Sequence, residues 1–259
     1  MDKSQEDGLA GGGMTRVTRS GDVVYRSREA GSDRVEELLT RLERAGFEYS
    51  PRFLGIAADG RQMLQYMPGD AGTYPLSAAV RSLPALRSAA HVLRRLHDLT
   101  EGLAASMVGG WMLPDVEPGE VICHGDFAPY NCLFDGERII AVIDFDTAHI
   151  GPRLRDIAYA VYRFAPLTDP RNEVSFGTVD DQAGRARVFV DTYGLEERSG
   201  LVDAVCVRLR DLVDFMRTRA ANGDSNFARH LDDGHDTSYL RDIDYLTRHA
   251  ERITSHLVW

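Results

Sequence analysis

Apolar positions change their period several times along the chain, and each change marks an element. Thr15-Arg16-Val17-Thr18-Arg19 alternates as a strand does, Ser20-Gly21-Asp22 is a turn signal, and Val23-Val24-Tyr25-Arg26 follows. This predicts a hairpin with the glycine run Gly11-Gly12-Gly13 at its mouth. Val35, Leu38, Leu39 and Leu42 then recur with helical spacing, and Ala45-Gly46 ends the pattern. On that helix Glu37 points away from the apolar face, whereas Glu36 and Glu43 flank it. Strand patterns return over residues 52–56 and 62–67, joined by Asp59-Gly60 and closed by Pro68-Gly69.

From about residue 77 the pattern turns helical. Leu86, Ala89, Ala90, Leu93 and Leu96/His97 form one face of a helix expected to stop near Asp98. Val121-Ile122-Cys123 reads as a strand, and Cys132-Leu133-Phe134 pairs with residues 139–143 through an Asp135-Gly136 hairpin signal. Helices are expected over 157–164, 182–193 with Gly194 closing the last turn, 201–219 and 238–253. A small sheet carrying one helix, followed by a mainly helical region, predicts an α+β fold of two lobes. The expected division is residues 1–68 and 69–259, with the joint near Met67 to Gly69.

Composition narrows the function. The 259 residues are 43% hydrophobic and 27% charged, enough to build a real core. No apolar run approaches the roughly 18–20 residues of a membrane span, so no membrane partner is expected. An acidic N-terminus without an apolar stretch argues against a secretory signal. Three cysteines without a CxxC pair fit a reducing cytosol, hence a cytoplasmic protein. A net charge of −10 argues against a nucleic-acid partner, because phosphate neutralisation needs basic surface. Of 30 basic side chains counted as Lys plus Arg, Lys3 is the single lysine. Any chemistry that needs a buried lysine must recruit that residue or do without.

The stretch that carries chemistry is His124-Gly125-Asp126 through Asn131, then the hairpin, then Ile143-Asp144-Phe145-Asp146. An aspartate, an asparagine five residues on and a second aspartate beyond the hairpin converge at loop ends beside short strands. Metal-assisted phosphoryl transfer suits this set. One carboxylate accepts a hydroxyl proton, while an amide oxygen and another carboxylate hold Mg²⁺. A lone His-Gly-Asp is a weak signal, since aspartate after glycine is common in turns, but the full spacing is much stronger.

On these residues the chain resembles the aminoglycoside phosphotransferase/choline kinase-like family, small-molecule kinases with a protein-kinase-like fold. Asp156-Ile157-Ala158 after Gly151-Pro152 and the order of elements extend the likeness over nearly the whole chain. The resemblance implies that Asp126 is the catalytic base, that Asn131 and Asp144 are Mg²⁺ ligands, and that ATP or GTP is the phosphate donor. Asp156 is either an acid matched to its helix dipole or, as in the family, a brace on the catalytic loop. Asp146 contacts metal or pairs with an arginine. His97 reads as a buried core histidine and His124 as an orienter of the loop.

The small lobe departs from the family pattern. Where kinases of this shape place a lysine on a strand, paired to a helix glutamate, this chain has Arg26, with Glu36 as the expected partner. Arginine keeps the charge and can fork onto phosphate, although a plain surface arginine is the competing reading. Gly11, Gly12 and Gly13 would cover the phosphates, or are simple linker, and Gln65 and Met67 match the hinge that holds adenine. The acceptor is a small-molecule hydroxyl, and aminoglycosides, which are cationic, are one class the family accepts. Asp211-Asp214 and Asp232-Asp233 are candidate acceptor contacts, although arginines interleave with them as in solvated helix pairs. The competing function is a nucleotide-binding pseudokinase or immunity-type binding protein, favoured by the missing lysine and disfavoured by the intact acidic set.

Overall fold

The computed structural model describes residues 7–8 and 17–258, so Lys3 and the glycines Gly11, Gly12 and Gly13 lie outside the described residues. Strands β1 (Asp7–Gly8), β2 (Val17–Ser20), β3 (Val23–Arg26), β4 (Phe53–Ile56) and β5 (Gln62–Gln65) form an antiparallel sheet in the order β1-β2-β3-β5-β4. The expected hairpin is present, with Val17 opposite Arg26 and Ser20 opposite Val23. Helix α1 (Ser32–Arg44) buries Val35, Leu38, Leu39 and Leu42, the face that its spacing predicts. Glu37 turns outward and pairs with Arg34 and Arg41.

A short strand β6 (Asp70–Ala71) leads on to helix α2 (Leu83–Ala104), which is capped by the Ser82 hydroxyl and has Pro84 in its first turn. The helix runs past the expected stop at Asp98, because Thr100, Leu103 and Ala104 continue its packed face. Thr100 Oγ1 accepts the Ile122 amide at 3.3 Å and ties the extension to strand β7 (Val121–Cys123). Strands β8 (Cys132–Asp135) and β9 (Arg138–Val142) form the expected hairpin, and β6 adds to its edge. Strand β10 (His149–Gly151) pairs antiparallel with β7.

Helices α3 (Arg153–Phe164), α4 (Val179–Tyr193), α5 (Leu201–Ala221), α6 (Ser225–Asp232) and α7 (His235–Val258) complete the chain. Gly194 closes α4 in the left-handed conformation, as its position predicts. From Asp156 to Phe164, α3 is buried at every position except Arg163. One continuous core joins α1, α2, the short strands and α3 to α5 with α7. No helix among the described residues is long and apolar enough to cross a membrane. The fold is mixed α+β, as expected.

Candidate active site

Strand β7 delivers His124, Gly125 and Asp126 to the end of a short two-stranded ladder. Gly125 has φ +81°, and a Cβ there would run into the Thr147 carbonyl, so the turn demands glycine. The His124 and Gly125 amides donate to the two carboxylate oxygens of Asp156, at 2.7 and 3.0 Å. His97 Nε2 lies 3.1 Å from Asp156 Oδ2, and its Nδ1 lies 2.7 Å from the Tyr193 hydroxyl. Burial opposes ionisation of Asp156, but the His97 hydrogen bond, the nearby imidazoles and the His124 amide hold its carboxyl well below the usual range. His124 Nε2 bonds the Ile143 carbonyl at 3.0 Å and so fixes the loop to the end of β9. His97 is therefore a core histidine and His124 an orienter, as expected, and Asp156 takes the brace, one of its two expected roles.

Both oxygens of Asp126 are held. Tyr130 donates its hydroxyl to Oδ1 at 2.6 Å, and Asn131 Nδ2 donates to Oδ2 at 2.8 Å. The tight turn Pro129–Asn131 brings both donors back onto the carboxylate. Burial pushes the Asp126 carboxyl up, the Tyr130 hydrogen bond opposes this, and the Asp144 charge adds to the rise. Asn131 spends its amide nitrogen on Asp126, which leaves its amide oxygen for a cation. Asp144 is the single non-glycine residue with positive φ (66°) among the described residues. Such a conformation costs of order 1–3 kcal/mol and persists where the surrounding structure over-determines it.

The structure brings Arg26 to the acidic pair beyond β9. Its Nη2 lies 3.4 Å from Asp144 Oδ1 and also bonds Asp146 Oδ2. Burial raises the Asp146 carboxyl to about 6, with the Arg26 charge opposing and the Asp144 charge adding. Asp146 thus makes the arginine pair that was one of its two expected roles. The expected Arg26–Glu36 pair does not form. Glu36 accepts Arg28 Nε at 2.8 Å and Gln62 Nε2 at 3.2 Å instead. Asp144 and Asp146 attract Arg26 away, and Arg28, two residues past the strand assignment, reaches the helix in its place.

Gln65 lies in β5, hydrogen-bonded through its backbone to Arg52, and its side chain accepts from Arg52 Nε at 3.1 Å. Met67 follows Tyr66, whose amide donates to the Asp22 carbonyl at 2.8 Å. Among the described residues no group of three or more His, Cys, Asp or Glu is arranged to hold a metal. Asn131 and Asp144 nevertheless offer hard oxygen donors, and Mg²⁺ ordinarily takes one or two carboxylates and completes its shell with waters and phosphate oxygens. The donor set therefore fits Mg²⁺. Of the candidate acceptor acids, Asp211 pairs with Arg155 at 2.5 Å, whereas Asp214, Asp232 and Asp233 are exposed.

A family model described as "Phosphotransferase enzyme family" matches residues 110–188, which hold Asp126, Asn131 and Asp144. A trifolitoxin immunity protein from Rhizobium leguminosarum bv. trifolii is 33% identical over 236 residues, covering 86% of this chain and 88% of that protein. The chain belongs to the phosphotransferase enzyme family. Two solved structures show the same fold at low identity. A choline/ethanolamine kinase family protein from Mesorhizobium loti has TM-score 0.60 and 18% identity, covering 98% of this chain and 93% of that one. An amicoumacin kinase in complex with AMP-PNP, Ca²⁺ and Ami has TM-score 0.64 and 11% identity, covering 90% of this chain and 89% of that one.

This member of the phosphotransferase family also uses residues that its sequence did not point to. Arg208 on α5 is buried, donates to the Gly125 carbonyl at 2.6 Å and stacks its guanidinium 4.8 Å from the Tyr159 ring centroid. Tyr159 in turn bonds the Tyr130 hydroxyl at 3.0 Å. Arg208 could have been flagged as a charge on the apolar face formed by Val205 and Leu209. Arg28 carried no such signal.

Proposed function

We propose that this protein is an ATP- or GTP- and Mg²⁺-dependent phosphotransferase that acts on a hydroxyl of a small molecule. The observation that carries the reading is Asp126, held at both oxygens by Tyr130 and Asn131 within a loop that Asp156 braces through two backbone amides. In this role Asp126 accepts the proton of the acceptor hydroxyl as that oxygen attacks phosphorus. Tyr130 and Asn131 keep the carboxylate aimed, and Asp156 keeps the loop from moving. Asn131 and Asp144 would hold Mg²⁺, which when bound supplies charge neutralisation to the phosphates. Arg26 and the glycines Gly11, Gly12 and Gly13 would face those phosphates, with Gln65 and Met67 at the adenine. The sheet and α1, up to residue 68, then serve the nucleotide, and residues 69–259 serve catalysis and the acceptor. Glu36 supports this part through Arg28 and Gln62.

The immunity relative favours a second reading, a binding protein that sequesters a toxic ligand. Phosphorylating a toxin and being immune to it are compatible, and a pure binding protein has no need of the full acidic set. A nucleotide-coupled screen of hydroxylated acceptors, with Asp126→Asn as blank, separates the two. Turnover by the wild type that is lost in the variant supports the enzyme. Tight acceptor binding with no Mg²⁺-dependent turnover against any acceptor supports sequestration.

A further inference from the structure

Most of the buried or half-buried arginines in the helical region have carboxylate or carbonyl partners, but one beside the active site does not. Arg163 lies on α3, one turn beyond Tyr159. Its guanidinium stacks over the rings of Tyr74, Tyr130 and Tyr162, at 5.0, 5.2 and 5.6 Å from their centroids. Its Nε is buried without a hydrogen-bond partner, and among the described residues the side chain makes no ion pair. The Tyr74 hydroxyl is likewise buried without a hydrogen bond of good geometry, and its nearest polar neighbour is Arg163 itself.

The neighbouring hydroxyls are committed elsewhere: Tyr130 to Asp126 and Tyr162 to Asp242, at 2.6 and 2.8 Å. Arg163 thus shares Tyr130 with the catalytic base and lies close enough for its charge to act on Asp126, without pairing with it. Stacking on rings contributes of order 0.5–2 kcal/mol, and the half-buried side chain leaves the end of its guanidinium within reach of a ligand. An orphaned Nε alone is not unusual here, since Arg185 and Arg241 share it; what sets Arg163 apart is a guanidinium with no ion pair held over tyrosine rings beside Asp126, which is an arrangement that can take an anion.

We infer that Arg163 and the Tyr74 hydroxyl receive a carboxylate of the acceptor, so that the molecule phosphorylated is a hydroxylated carboxylic acid rather than a polyamine. The inference deepens the phosphotransferase reading, but its binding half stands without it. A guanidinium can fork onto both carboxylate oxygens, and the phenol supplies a third donor. A polycation would meet a fixed positive charge one residue away from the base, which disfavours it.

The test uses the full chain and calorimetric titration. Malonate, which has carboxylates and no hydroxyl, probes the anion site alone. L-Serine against ethanolamine, and L-homoserine against 3-aminopropan-1-ol, differ by one carboxylate; kanamycin is the cationic arm. Malonate is expected to bind the wild type in the millimolar range, and each amino acid to bind more tightly than its amine. Arg163→Gln should weaken malonate by about tenfold or more, and Arg163→Lys by less, since it keeps the charge and loses the fork. Circular dichroism confirms that each variant is folded, and the lysine variant carries the test if the glutamine one is not.

No malonate binding to the wild type, affinity unchanged in the folded variants, or kanamycin and the amines binding more tightly than the acids would each overturn the inference. Malonate binding that depends on Arg163, in a protein that never turns over nucleotide with these acceptors, would retain the anion site and count against the phosphotransferase reading instead.

Discussion

The loop proposed to carry catalysis and the tyrosine wall beside it treat their polar groups in opposite ways. Along the loop, His124, Gly125, Asp126 and Asn131 each have a short hydrogen bond to a neighbour, and Asp156 behind them is shared by two amides and an imidazole. Across the wall, Arg163 Nε and the Tyr74 hydroxyl are buried without a hydrogen bond of good geometry. Tyr130 belongs to both. A satisfied network fixes one geometry, whereas an unsatisfied one costs stability until something completes it. On the proposed reading, the difference separates what would hold the reacting groups in place from what would be left for a ligand to complete.

The largest effect expected is on the loop side. Asp126→Asn keeps the shape and one acceptor oxygen but removes the base, so turnover should fall by about 10²–10⁴-fold while nucleotide affinity is little changed. Steady-state rates and nucleotide titration of the same preparation check both halves. Turnover undiminished in the variant would break the assignment.

Next is the brace. Asp156→Ala leaves two buried amides and an imidazole without their acceptor and should cost about 3–5 kcal/mol in urea unfolding at pH 7. The sign with pH follows from the depressed folded pKa. The contribution is complete above the unfolded-state value of about 3.9 and is lost as pH falls below it toward the folded value. The stability gap between wild type and variant should therefore be constant from pH 7 to about pH 5 and narrow as pH drops below about 4. A gap that widens in acid would mean that Asp156 is not ionised in the folded protein.

Gly125→Ala tests the same network sterically. Positive φ together with a Cβ pressed against the Thr147 carbonyl should cost roughly 2–4 kcal/mol by combining backbone strain with overpacking. Thermal unfolding reads the loss. Gly194→Ala, where positive φ acts with only the flexible end of Arg94 nearby, should cost only about 1 kcal/mol.

What could be read from the chain in advance follows the range of the interactions. Asp126, Asn131 and Asp144 stand in a local spacing that one hairpin brings together, so their convergence was legible. The helix faces of α1 and α2 were legible for the same reason, because periodicity is local. The Arg26–Glu36 pair was not, since two aspartates 118 and 120 residues away compete for the arginine. Strands β6 and β10, with two and three residues, are too short to carry a period. Helix α6 fully buries only Phe227, with Leu231 packed beside it, and is announced only by its Asp224 cap. The role of Arg208 depends on α5 packing against α3, which nothing local encodes.

The smallest effect is the sharpest test of the contrast, because two tyrosines in one wall should behave differently. Tyr130→Phe removes a hydroxyl that donates to Asp126 and accepts from Tyr159, so it should cost about 1–2 kcal/mol and lower turnover. Tyr74→Phe removes a buried hydroxyl that has no hydrogen bond of good geometry in the protein. Deleting an unsatisfied group relieves its desolvation cost, so stability should be unchanged or rise by about 1 kcal/mol, without loss of the ring that stacks on Arg163. Thermal melts of the two variants should therefore move apart, Tyr130→Phe downward and Tyr74→Phe level or upward. If Tyr74→Phe is as destabilising as Tyr130→Phe, its hydroxyl is satisfied within the protein. The wall is then structural, and the division between a completed loop and an incomplete ligand site fails.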